Sequence, residues 1–183
     1  MRKLIYAINI TLDGVCDHTA GIADTEVHDY FTDLMRDAGL LVYGRKTFEL
    51  MVPFWPDMVK EPSGDKGMDD FARAFDVVPK LVFSRSLSNV EDSNSTLAQT
   101  GLRAEISMLK QQQGGNIYVG GVSVPSQLIE LGLVDEYIFV IHPVIAGEGR
   151  RLFDGANLPQ KLVLTLVDKK VFKSGGVALR YVK

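Results

Sequence analysis

Three features of the sequence predict an α/β fold with a mostly parallel sheet and an antiparallel edge. Up to His142, short β-branched apolar runs alternate with segments of helical periodicity, the pattern of strands buried on both faces between crossover helices. The last two strands are separated only by the turn Lys173-Ser174-Gly175-Gly176, which makes them a hairpin. Several strands also run straight into a polar or glycine turn, at the strand ends where open α/β sheets gather ligands.

In chain order, Lys3 to Ile10 is an apolar run that stops at Thr11-Leu12-Asp13-Gly14, where Asp-Gly marks a turn. Asp24 or Thr25 can cap a helix carrying Val27, Tyr30, Phe31, Leu34 and Met35 at helical spacing, which Gly39 ends. Leu40 to Tyr43 is a second strand, and Gly44-Arg45-Lys46-Thr47-Phe48-Glu49 starts the next helix. Residues 53–70 hold Pro53, Pro56, Pro62, Gly64, Gly67 and the only tryptophan, Trp55; this composition predicts an irregular binding loop or lid, or else a disordered segment. A short helix is expected from Met68 to Phe75, then a third strand, Lys80 to Phe83, running into Ser84-Arg85-Ser86.

The polar stretch Glu91 to Thr100 can supply a short edge strand at 95–98, and Leu102 to Gln112 a helix stopped by Gly114-Gly115. Ile117-Tyr118-Val119 leads through Gly120-Gly121 into a helix with Val124, Leu128, Ile129 and Leu131. Tyr137 to His142 is a further strand, Pro143 to Arg150 a loop, and Lys161 to Val167 with Val177 to Val182 the closing hairpin.

The 183 residues, 46% hydrophobic and 23% charged, suit one domain spanning 1–183. A net charge of −3 gives no global attraction to nucleic acid or to an anionic membrane, so neither is expected as a partner. The single Cys16 excludes an internal disulfide framework and a multi-cysteine zinc site. The three histidines are scattered without a His-Glu-x-x-His pattern, so no built-in metal centre is expected. The apolar start of the chain breaks at Asn9 and Asp13, which reads as a first strand rather than a signal peptide; the expected location is cytoplasmic.

Three turns carry phosphate-compatible chemistry. Gly120 to Val124 joins a strand to a helix N-terminus, where missing Cβ atoms, free N–H groups and the helix dipole favour an anion. Gly44 to Thr47 adds two cations and a first-turn hydroxyl, and Ser84-Arg85 adds a third cation with a hydroxyl. One site for a pyrophosphate and another for a separate phosphate is the division of labour that NADP requires.

The ordered motifs Leu12-Asp13-Gly14, Tyr43-Gly44-Arg45-Lys46-Thr47, Val82-Phe83-Ser84-Arg85, Ile117-Tyr118-Val119-Gly120-Gly121, Leu133-Val134-Asp135-Glu136 and Pro143 to Gly149 resemble the dihydrofolate reductase-like superfamily. Specifically, the chain resembles stand-alone relatives of the reductase domain of riboflavin biosynthesis, the RibD C-terminal domain. The resemblance implies a central mixed, mostly parallel eight-stranded sheet flanked by helices, with NADPH as cofactor. It would place Gly44, Arg45, Lys46, Thr47, Ser84 and Arg85 around the adenosine 2′-phosphate. Gly120, Gly121, Val122, Ser123 and Val124 would lie along the pyrophosphate, and Ala7 near the nicotinamide.

On the same analogy the position of a catalytic carboxylate falls at about His28 or Asp29, with Glu26 near enough to consider and bound water a further proton source. Asp13 and Trp55 are the expected substrate contacts. The zinc deaminase signature that accompanies the bifunctional riboflavin enzyme does not occur in the sequence. The activity so implied is NADPH-dependent reduction of a small heterocyclic or carbonyl substrate by a homodimer; the alternative is a non-catalytic NADP-binding sensor or structural homodimer.

Overall fold

The computed structural model describes residues 1–22, 24–158 and 160–183. In chain order the elements are β1 (Leu4–Thr11), α1 (Thr25–Asp37), β2 (Ala38–Gly44), α2 (Arg45–Lys60), α3 (Lys66–Asp76), β3 (Lys80–Phe83) and β4 (Ser95–Leu97). They continue as α4 (Leu102–Gln111), β5 (Asn116–Val119), α5 (Ser123–Glu130), β6 (Glu136–His142), β7 (Thr165–Val171) and β8 (Val177–Val182). One eight-stranded sheet runs β4-β3-β2-β5-β1-β6-β8-β7. The first six strands of that order are parallel, and β8 is antiparallel to both β6 and β7.

Side-chain alternation along the central strands divides the core into two layers. Leu4, Tyr6, Val42, Ile117 and Val119 face α4 and α5, against Ile106, Val124 and Leu128. Ile5, Leu41, Tyr43 and Tyr118 face α1, α2 and α3, against Met35, Phe48, Val52, Phe71 and Phe75. The amino ends of the strands are closed by ion pairs: Glu136 is held by Lys3 and Arg180, and Lys110 Nζ donates to Asp135 at 2.8 Å.

Two expectations need correction. Residues 53–70 are not an irregular lid, because α2 continues through Pro53 and Pro56 to Lys60 and α3 begins at Lys66. An interior proline costs a helical hydrogen bond and a clash, about 3 kcal/mol. That cost is offset because Phe48 and Val52 are buried and Trp55 packs against Phe71 of α3 with ring centroids 4.6 Å apart. The second correction is the closing hairpin, whose first strand spans Thr165–Val171 rather than Lys161 to Val167. Its turn falls at the predicted Lys173 to Gly176, with Gly175 N–H donating to Phe172 O at 3.0 Å.

Candidate functional site

Parallel pairing makes neighbours of turns that are far apart in sequence. Gly44 pairs with Phe83, so Arg45 and Ser84 follow adjacent strand ends, and Val42 pairs with Val119, so Gly120-Gly121 stands beside Tyr43 and Gly44. Gly121 has φ +85°, and a Cβ there would collide with Thr47 Oγ1. A Cβ at Gly120 would lie 3.0 Å from the Tyr43 ring and 4.0 Å from the Ala7 carbonyl. Two close approaches and one left-handed residue therefore account for the glycine pair. Tyr6 Oη donates to Gly121 O at 2.8 Å, and burial pushes that phenol's pKa far up, so it stays a donor.

Helices α2 and α5 start at this edge, from Gly44 and Val122. Neither has a side-chain cap or an acidic residue in its first turn. Their positive dipole ends favour an anion, although in α5 the first-turn Pro125 has no N–H and Val124 is buried. The cations stand outside. Arg45 is exposed and lies 3.2 Å from both carboxylate oxygens of Glu49, Lys46 and Arg85 are exposed, and Ser84 Oγ accepts from Ser86 N–H and Leu87 N–H.

A cavity of about 600 Å³ opens on the α1, α2, α3 face of the sheet. Of the predicted cofactor residues, Ala7, Thr47, Gly120 and Gly121 line it. Gly44, Arg45, Lys46, Ser84, Arg85, Val122, Ser123 and Val124 do not; Val122 and Val124 are buried in the core. A shallower depression of about 480 Å³ lies over β3 and β4, lined by Ser88, Asn89, Val90 and Leu97 just beyond the Ser84-Arg85 turn.

The predicted catalytic and substrate residues separate. His28 and Trp55 both line the large cavity, with ring centroids 6.2 Å apart, and Phe71 completes this aromatic corner. Asp29 is exposed and outside the lining. Asp13 is also outside it, and its carboxylate is occupied by Thr11 Oγ1 at 2.6 Å, Ala146 N–H at 3.1 Å and Gly147 N–H at 2.9 Å. Those bonds, the Thr11 hydroxyl first, hold its pKa at about 2. Asp13 thus ties the loop after β6 to the end of β1.

Sequence reasoning missed two residues, Asn9 and His142. His142, 2% exposed, accepts from Ile22 N–H at Nδ1 (3.2 Å), and its Nε2 lies 2.9 Å from Asn9 Oδ1. Because Ile22 N–H donates to Nδ1, the ring carries its proton on Nε2, and burial lowers the His142 pKa in the direction of that neutral form. The available signal was a polar residue, Asn9, interrupting the otherwise apolar β1, and a histidine closing β6. Among the described lining residues there is neither lysine nor arginine. The one carboxylate there is Asp17, exposed, with Oδ1 accepting from Thr19 N–H and Oγ1.

A mostly parallel eight-stranded sheet with a terminal antiparallel hairpin is a dihydrofolate reductase-like fold. The model of the RibD C-terminal domain matches residues 2–178, and the chain belongs to that family. It is 32% identical over 184 residues to protein YyaP of Bacillus subtilis (strain 168), covering 98% of this chain and 94% of that one. Among solved structures, a putative riboflavin biosynthesis protein from Shewanella sp. PV-4 superposes with TM-score 0.72 at 21% identity, over 100% of this chain and 98% of that one. A Thermotoga maritima diaminohydroxyphosphoribosylaminopyrimidine deaminase/5-amino-6-(5-phosphoribosylamino)uracil reductase matches with TM-score 0.67 at 16% identity, over 99% of this chain and 56% of that one. No helix among the described residues is long and apolar enough to cross a membrane.

Proposed function

We propose that the chain is an NADPH-dependent reductase of a small heterocyclic or carbonyl substrate. The observation that carries this reading is the pair of uncapped helix N-termini, α2 and α5, meeting through Thr47 and Gly121 at the rim of the cavity. Residues 120–124 would lie along the pyrophosphate and hold it on backbone N–H groups from Gly121 onward, the Gly120 N–H being taken by Val42 O at 3.2 Å. Gly44 to Thr47 and Ser84-Arg85 would hold the 2′-phosphate, with the adenosine over β3 and β4. Ala7 would back the nicotinamide. The bound cofactor supplies hydride; the protein orients the substrate and excludes water. His28, the one predicted acid that faces the cavity, would deliver the proton. Membership in a family that includes a uracil reductase domain supports a reductase-like role.

The test is titration of NADPH and NADH against the wild type, Arg45→Ala and Arg85→Ala. NADPH is expected to saturate and to bind more tightly than NADH. Each substitution should weaken NADPH by about tenfold, the scale of one charge-assisted hydrogen bond, with little effect on NADH. Absence of saturable NADPH binding, or indifference to both substitutions, would refute the reading. Oxidation of NADPH with a carbonyl substrate separates the reductase from a sensor that only holds the cofactor.

The same reading includes a cytoplasmic location and a homodimer formed through β7. That edge strand is exposed throughout and presents Leu166, Val167 and Val171. Light scattering should give twice the monomer mass, and Val167→Lys should return it to the monomer value.

A further inference from the structure

The hydrogen bonds around His142 fix which way the Asn9 amide points. A backbone N–H can only donate, so the Ile22 N–H makes Nδ1 of His142 the acceptor, and the neutral ring carries its proton on Nε2. That proton is given to Asn9 Oδ1 at 2.9 Å. Gly21 closes over the ring, since a Cβ there would come within 3.1 Å of Nε2, so the imidazole has little freedom to turn. The Asn9 Nδ2 group is left as a donor with no hydrogen bond to any described residue, on a side chain that lines the cavity. Asn9 and Ala7 are on the same face of β1, about 7 Å apart along the strand. The aromatic corner of His28, Trp55 and Phe71 forms another wall, and the described lining offers neither lysine nor arginine, its ionisable bases being His18, His28 and His142. Arg150, close enough to influence the Cys16 thiol, is exposed and outside the lining.

We propose that this cavity selects an uncharged, planar, conjugated carbonyl compound, seated against the aromatic corner with its carbonyl oxygen on the Asn9 amide, and disfavours phosphorylated rings. The proposal rests on the NADPH-reductase reading. The substrate carbon conjugated to the carbonyl takes hydride from the reduced nicotinamide, and the π electrons move to oxygen. Asn9 N–H holds the resulting oxyanion, and a proton from His28 or water completes the two-electron reduction. Asn9 touches the reacting oxygen and is a catalytic residue; His142 acts through it and is a positioning residue.

Menadione serves as the uncharged probe and 5-amino-6-(5-phosphoribosylamino)uracil as the phosphorylated one. Trp55, the single tryptophan and part of the cavity wall, reports binding by its emission. Wild-type protein should reduce menadione with the higher kcat/KM. Asn9→Asp, which replaces the donor with an acceptor, should lower that value by about 100-fold, the scale of one lost oxyanion donor, with NADPH affinity unchanged. With NADP+ present, Asn9→Asp should also bind menadione more weakly by Trp55 emission. His142→Gln can still accept from Ile22 and donate to Asn9, so it should retain activity; His142→Leu should lose about tenfold, as when a partner that orients a functional group is removed.

Preference for the phosphorylated uracil, failure to bind or reduce menadione, or full activity of Asn9→Asp with menadione would overturn the proposal and leave the reductase reading standing. Absence of saturable NADPH binding by the wild type would overturn both.

Discussion

Of the five helix N-termini among the described residues, that of α4 starts from Gly101 with no side-chain cap but with Glu105 in its first turn, and the other four divide into two kinds. Helices α1 and α3 begin with Asp24 and Asp65, whose carboxylates accept from Val27 N–H and Met68 N–H, both at 2.9 Å. Helices α2 and α5 begin from a glycine turn with no side-chain cap and no early acidic residue. The capped pair serves stability, since each carboxylate satisfies an otherwise unpaired donor. The bare pair offers its first turns no side-chain acceptor, and both bare ends lie where Thr47 meets Gly121. An end with neither a cap nor an early acidic residue keeps its positive dipole end uncompensated, which favours an anion.

The comparison can be broken most sharply at Gly121. Gly121→Val forces a β-branched residue to φ +85° and its Cβ into Thr47 Oγ1. Saturable NADPH binding is expected to disappear by titration, and urea unfolding should show a loss of at least about 1–2 kcal/mol from the left-handed backbone alone. Ser123→Asp sharpens it, because it supplies α5 with the acidic first turn it lacks. The free protein should gain about 0.3–1 kcal/mol, while NADPH binding weakens through repulsion of its pyrophosphate.

On the capped side, Asp24→Ala should cost about 1 kcal/mol in urea unfolding and leave NADPH affinity unchanged. A similar cofactor loss at Asp24→Ala and Ser123→Asp would remove the distinction between the two kinds of end.

The smallest effect is one of pH and also falls on the capped side, where His142 packs near Asp24. Burial lowers the folded pKa of His142 below the ordinary imidazole value, so below that value the unfolded chain binds more protons than the folded one. Stability should therefore be complete above about pH 6.5 and fall as pH drops through and below it, down to the folded pKa. His142→Gln should flatten that part of the urea-midpoint profile.

The glycine turns and buried strands were legible because their signals are local. Leu40 to Tyr43 and Ile117 to Val119 are short apolar runs ended by glycine, and the backbone needs of Gly121 follow from its place in a tight turn. Residues 53–70 misled for the same reason: Pro53 and Pro56 are local evidence for irregular chain, but the burial that keeps α2 intact comes from Phe71 and other side chains of α3. Asp13 misled differently. A carboxylate at a strand mouth suggests a ligand, yet its lone pairs are taken by two N–H groups from the loop at Ala146 and Gly147.

From the sequence alone came the alternation of strands and helices, the three anion-compatible turns and the family pattern, because periodicity, glycine and charge act over a few neighbouring residues. Only the tertiary structure decided which of those turns reach the cavity, that His28 rather than Asp29 faces it, and that Asn9 and His142 meet. The physical reason is register: pairing Thr11 with His142 across β1 and β6 brings together the side chains of Asn9 and His142, 133 residues apart, and no local preference encodes that distance.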